Sequence, residues 1–453
     1  MIRVTTFGRQ VFVAALAFFA FASGLAFGAG DFSEFKFDPV AFEARLEVDW
    51  LAQDAPDEEV RASLFSGESF AREKELVEGV LRALESAEVA KESRIRLDAL
   101  VSEKTRGDDP AWRALYLDAR RALRAERLKT ATELAPKFVY TKHYVMGASH
   151  YAYTEDVTDE AYNDYSCDRR PGAQLCLATF QPDGTIANEV LVETAEGTIR
   201  DPDVSWDGTK ILFSMRTSFK EDDFHLYEYD LGTKQTRQIT FGLGVADIEP
   251  IYLPNGDLLF VSTRCGQNTD CWWTEVSNLY TCDSQGRFTR RVGVDQVTTN
   301  YPKLLDDGRV VYTRWDYNDR GHIYVQPLFQ MNADGTGQTE FYGNNSYFPT
   351  VVLHPRGVPG GDKVLGVLGG HHAYQQGKLA LIDRSKGTQG NSGVQLIAPI
   401  RETEDVKVDR YGQDGELFQY PFPLDEDSLL VAYLPEGSQD RSYAIPFGVY
   451  WFD

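Results

Sequence analysis

A repeat of about 50 residues, running through the last two thirds of the chain, limits its possible folds more than any other feature. Six short segments carry it: Leu177–Gln181, Leu226–Asp230, Leu279–Asp283, Leu328–Asn332, Leu379–Asp383 and Val449–Asp453. The first five recur every 49 to 53 residues, and the last follows 70 residues on, after an insertion around Glu402–Pro423. Four units open on a proline, at Pro202, Pro250, Pro302 and Pro349, spaced 48, 52 and 47 residues apart. Hairpin dipeptides such as Asp207-Gly208, Asn255-Gly256, Asp307-Gly308 and Asp334-Gly335 punctuate the apolar runs. Each unit therefore reads as a small antiparallel sheet. One such sheet cannot bury both of its faces, so the units must pack around a common axis. The expectation is a mainly β fold, a six-bladed β-propeller over 137–453, preceded by a small α-helical domain.

The first unit, from Lys137 to about Ala195, reads as complete. The sixth stops at Asp453, at its third strand. An open sheet edge is a pairing hazard, which favours the chain being the front of a longer polypeptide.

Ahead of the repeats the periodicity is helical. Over 38–136, segments such as Ser69–Leu84 and Ala111–Ala131 place apolar residues three and four apart. Asp109-Pro110 reads as a cap and first-turn proline. This region is expected to be a cap or docking domain. Residues 1–28 read as a signal peptide: Arg3 and Arg9, then an apolar stretch, then Ala26-Phe27-Gly28. The protein is thus expected to be exported, to a periplasm or the exterior, with an uncleaved signal anchor as the alternative. No other segment could span a bilayer.

A formal charge of −23 argues against a phosphate backbone as partner, so nucleic acid is set aside. Export permits disulfides, and the spacing of the five cysteines suggests Cys167–Cys176 and Cys265–Cys271, with Cys282 left as a buried thiol. There is no CxxC and no CxxCH, so the chain carries no standard attachment motif for a c-type haem.

Unusual residues gather in the loops between second and third strands. Arg216, Arg264 and Arg314 end the second strand in three successive blades, where converging guanidinium groups could bind an anionic group. With Asp316, Trp273 and Glu275 they form a candidate ligand-binding funnel face. The plainer alternative pairs each arginine with a carboxylate such as Asp203, Glu249 or Asp316, tying blades together. His150, His371, His372 and Cys265 are the candidate metal ligands, against structural histidines, and adjacent His371 and His372 would point to opposite faces of a strand. No catalytic residue is legible.

Several runs resemble known proteins. Arg200-Asp-Pro-Asp-Val-Ser-Trp-Asp-Gly208 and Asn278-Leu-Tyr-Thr-Cys-Asp283 are similar to TolB-type blades. Cys271-Trp-Trp-Thr-Glu-Val-Ser-Asn-Leu-Tyr280, Tyr312-Thr-Arg-Trp-Asp-Tyr-Asn-Asp-Arg-Gly321 and Glu340-Phe-Tyr-Gly-Asn-Asn345 resemble the propeller region of the hydrazine synthase alpha-subunit family. So do Gly369-Gly-His-His372 and Val408-Asp-Arg-Tyr-Gly-Gln-Asp-Gly-Glu-Leu-Phe-Gln-Tyr420. The resemblance, from about Phe138 onward, implies an exported propeller beside a redox module. In that family c-type haem domains follow the propeller. Here any haem or metal would come from a missing tail or a partner, and the family's activity does not carry over without CxxCH.

Three functions follow as expectations. The first is a binding or scaffold propeller for a protein or small ligand, associated with a cytochrome c-type system. The second is a subunit or front part of a haem- or metal-dependent, hydrazine synthase-like oxidoreductase. The third is an assembly factor acting through the helical region.

Overall fold

The computed structural model describes residues 32, 35–84, 87–144, 170–181, 185–220, 223–269, 275–315, 317, 325–371, 373–403, 411–434 and 447–453. Among the described residues five helices come first: α1 (Pro39–Asp54), α2 (Glu58–Ser63), α3 (Ala71–Ala83), α4 (Ala87–Ser102) and α5 (Pro110–Leu134). Asp38 caps α1 and Asp109 caps α5, the latter accepting the Ala111 N–H, and each helix begins at a proline. Trp50 and Trp112 are fully buried among Leu76, Val77, Leu115 and Tyr116. Among the described residues no helix is long and apolar enough to cross a membrane.

The rest is a six-bladed β-propeller whose sheets are antiparallel throughout. The second blade is representative: Thr198–Val204 lies innermost, followed outward by Lys210–Arg216, His225–Asp230 and Gln235–Gln238. Innermost strands of the next four blades are Asp247–Tyr252, Thr299–Leu304, Val351–Gly357 and Leu417–Pro423. Their inner faces are apolar because neighbouring blades bury them against each other, as in the cluster of Ile248, Ile251, Leu259, Val310 and Tyr312.

All five innermost strands share a device. Asp201, Glu249, Tyr301, His354 and Tyr420 adopt left-handed φ values of 56°, 52°, 56°, 50° and 48°. Each stands directly before a proline, and the ladder to the second strand slips there in every blade. Proline lacks the N–H that a continued ladder would use, so the strand bulges at that point. In the fifth blade this proline is Pro355. Pro349, which the spacing selects, lies ahead of the strand, because spacing alone does not distinguish two prolines six residues apart.

The first and last blades differ from the rest. The sixth has three strands among the described residues: Leu417–Pro423, Leu429–Leu434 and Gly448–Phe452. Its outer side is covered by the helices: Tyr450 donates to Asp49 Oδ2 at 2.7 Å, and Arg127 pairs with Asp453 at 3.2 Å. Leu128 and Ala131 of α5 pack with Leu430 and Trp451 of this blade and Phe180 of the first, so α5 bridges the seam where the ring closes.

The first blade, which the sequence presents as complete, holds only Lys137–His143, Ala173–Phe180 and Ile186–Thr194 among the described residues. Ile186–Thr194 is largely exposed and leads within a few residues into the innermost strand of the second blade, which is the place of an outermost strand. The three strands thus correspond to the second, third and fourth of a full blade. No described strand takes the innermost place.

Candidate functional site

Where that innermost strand would stand, a cavity of about 1440 Å³ opens at the propeller axis. Lys137–His143 walls it on one side, Ala432 and Gly448 of the sixth blade on another, and the bulged segments of the inner strands on the third. The left-handed turn before each proline places Asp201, Glu249, Tyr301, His354 and Tyr420 along this wall. Asp203, Lys303, Arg356 and Phe422 follow two residues after, since side chains alternate along a strand.

The charges fall into two groups. Arg200, which is 1% exposed, donates from Nε to Asp201 Oδ2 at 2.6 Å and from Nη2 to Glu249 Oε1 at 3.2 Å. Asp201 also accepts the Glu249 N–H at 3.1 Å, and Glu249 accepts the Tyr301 N–H. Burial, reinforced by the Asp201 charge, pushes the Glu249 carboxyl up to about 7. The second group is looser. Asp203 accepts the Tyr252 N–H at 3.0 Å, and Arg356 stands 4.0 Å from it, stacked 3.9 Å above the Phe422 ring. Burial lowers the pKa of both Arg356 and Lys303.

Between them lies His354, with Tyr301 at 4.5 Å and Tyr420 at 4.0 Å between ring centroids. Its Nε2 meets the Gln375 carbonyl at 3.2 Å, so that nitrogen carries the proton, and Nδ1 has no hydrogen-bond partner among the described residues. Burial holds it neutral, down to about 3. The arrangement suits recognition of a polar molecule through fixed charges on a stiff wall.

The arginines singled out in the sequence lie elsewhere. Arg264 donates to both oxygens of Asp247, at 3.0 and 2.6 Å, and to the Phe241 carbonyl. Arg314 pairs with Asp295 at 3.0 Å over the Phe329 ring, and Arg216 donates to the Phe219 carbonyl. Asp203 and Glu249, suggested as their partners, serve the axis instead. Glu275 is half-buried and bridges to Asn268. Asp316, Trp273, His150 and His372 lie outside the described residues.

His371 is buried with its ring 6.1 Å from that of Trp315, and Cys265 Sγ donates to the Val276 carbonyl at 3.0 Å. Among the described residues no group of three His, Cys, Asp or Glu is placed to hold a metal. The expected disulfides are corrected: Cys176, Cys265 and Cys282 are free thiols. Cys176 points into the packing between the first and sixth blades, with Tyr140, Ala178 and Val449, while Cys265 is turned to Val276. Cys167 and Cys271 lie outside the described residues. The one legible signal for the axial residues was the pre-proline position itself, which carries Asp, Glu, Tyr, His and Tyr in five blades.

Fold and cavity together define a six-bladed propeller with a charged axial chamber. No protein-family model matches the sequence. The chain is related to hydrazine synthase subunit alpha of Kuenenia stuttgartiensis, 26% identical over 212 residues, which is 39% of this chain and 22% of that protein. It thus spans less than a quarter of that relative. The solved Kuenenia stuttgartiensis hydrazine synthase is similar over 70% of this chain and 43% of its own, with 18% identity and a TM-score of 0.54. TolB from Acinetobacter baumannii is 15% identical over 74% of this chain and 70% of its own, with a TM-score of 0.40.

Proposed function

We propose that this chain is an exported binding propeller that holds a small polar molecule in its axial cavity and works beside a cytochrome c-type redox system. The observation that carries the binding role is the cavity of about 1440 Å³, lined by charges of both signs and by three aromatic rings at the axis. Concave sites with a few convergent polar groups on a rigid frame are the usual form of small-molecule sites. The relation to a hydrazine synthase subunit supports the redox setting. It also supports a second reading, in which the propeller is one part of a haem- or metal-dependent oxidoreductase. Haem absorbance and metal content of protein purified from its native host separate the two: stoichiometric haem or metal favours the second.

The binding role is tested by ligand-observed NMR with neutral, cationic and anionic fragments. Ala432 lines the cavity, and Ala432→Trp places an indole against that wall and narrows the chamber. Fragments that bind the wild type and bind a folded Ala432→Trp protein more weakly are the expected result. Equal binding to both, or binding to neither, refutes the role.

A further inference from the structure

The two charge groups at the axis are not equally satisfied. Arg200 is fully engaged: its guanidinium bonds two carboxylates that in turn accept backbone N–H groups. Lys303 and Arg356 are not. Lys303 makes no ion pair or hydrogen bond from its ammonium among the described residues, although it lines the cavity. Arg356 has one carboxylate near it, at 4.0 Å, too far for a hydrogen bond, and its other contact is the Phe422 ring. That ring fixes the plane of the guanidinium and leaves its edge N–H groups facing the chamber.

Both side chains are half-buried, Arg356 with 18% of its side chain exposed, so each gives up part of its hydration at the chamber wall without gaining a hydrogen-bonded acceptor among the described residues. Asp203, the carboxylate that acts on both cations, already accepts the Tyr252 N–H, while Asp201 and Glu249, which also attract Lys303, are held by Arg200. The mutual repulsion of the two cations contributes to the lowered pKa of Lys303. An anion between them would accept from both, relieve that repulsion and offset the burial of each. A planar or tetrahedral oxyanion fits a guanidinium edge and an ammonium best, since it offers two or more acceptor oxygens. This deepens the axial-cavity reading and rests on it.

We propose that Lys303 and Arg356 form a binding site for a small oxyanion, a carboxylate or a phosphate-like group, inside the axial cavity. The test is thermal unfolding of the full chain with acetate, oxalate or inorganic phosphate, at ionic strength held constant with chloride. Glucose and choline serve as neutral and cationic probes. Saturable stabilisation by one oxyanion class is expected, and whether the carboxylates or phosphate produce it identifies the class. Lys303→Met and Arg356→Gln should each weaken that apparent affinity at least tenfold, with Lys303→Arg retaining most of it. Circular dichroism and gel filtration establish that each variant is folded. Without added anion, Lys303→Met should melt no lower than wild type, because a half-buried charge with no hydrogen-bonded acceptor among the described residues has been removed.

Oxyanion stabilisation unchanged in both charge-removing variants overturns the proposal. So does a crystal structure with a carboxylate of the chain itself between Lys303 and Arg356. Saturable stabilisation by glucose or choline, with none by any oxyanion, overturns the anion assignment and leaves the cavity reading standing. No response to any probe counts against both.

Discussion

Replacing Arg200 with Met probes the axial charge network at its most buried point. The guanidinium sits 2.6 Å from Asp201 and 3.2 Å from Glu249 and is 1% exposed. Glu249 titrates near 7 instead of its ordinary 4.5, raised by burial and Asp201 and opposed chiefly by Arg200. Without Arg200 that pKa rises further. A carboxyl whose folded pKa exceeds its unfolded value contributes stability that is complete below the unfolded pKa. That contribution is lost as pH climbs through the folded value. Below pH 7 Glu249 is protonated with or without Arg200, so the variant loses mainly the partner of Asp201. Leaving one buried charge uncompensated costs about 3–5 kcal/mol. Above pH 7 the wild type ionises Glu249 while the variant resists. The deficit then grows by up to about 1.4 kcal/mol per pH unit. Urea unfolding followed by circular dichroism at pH 6, 7.5 and 9 measures it. A deficit below about 1 kcal/mol, the size typical of an exposed pair, would refute the buried network. A deficit equal at pH 6 and pH 9 would refute the role given to Glu249.

Three further outcomes are expected. Trp451→Ala should lower stability by about 3–5 kcal/mol in urea unfolding, because Trp451 fills the seam between the sixth blade, the first blade and α5. Tyr450→Phe removes the hydrogen bond to Asp49 and should cost about 1–2 kcal/mol, with faster amide exchange in α1 as a local readout. Arg264→Gln should destabilise by roughly 2–4 kcal/mol, because Asp247 is fully buried and keeps only Ser262 and His225 nearby. Adding Asp247→Asn should recover much of that loss, as a double-mutant cycle would show, whereas independent effects would add.

The propeller was legible because its signals are local. Apolar strands separated by Asp-Gly and Asn-Gly turns recur at a fixed period, and each unit forces its neighbours to cover it. The functional wall was harder to read. Pro355 was hidden by Pro349, since a period near 50 tolerates either, and only the bulge at His354 decides between them. Arg264 and Arg314 drew attention by repeating at one strand end, yet Arg264 finds its carboxylate at Asp247, the first residue of its own blade's innermost strand, and Arg314 at Asp295, on the crossover just before its blade. The cysteine spacings suggested bridges, but the strand carrying Cys176 turns it into an interface between blades that are distant in sequence.

The sequence by itself determined the number of blades, their turns, the helical segments ahead of them, and three of the prolines that bulge the inner strands, Pro202, Pro250 and Pro302. Each of these depends on residues within a few positions of one another, or on exact repetition. Only the tertiary structure decided that the first blade lacks a described innermost strand and that a cavity stands in its place. It alone brought Arg200, Glu249, Lys303 and Arg356, from four different blades, around one axis. Which charges face each other across a closed ring depends on how blades tilt and pack, and no interval along the chain records that.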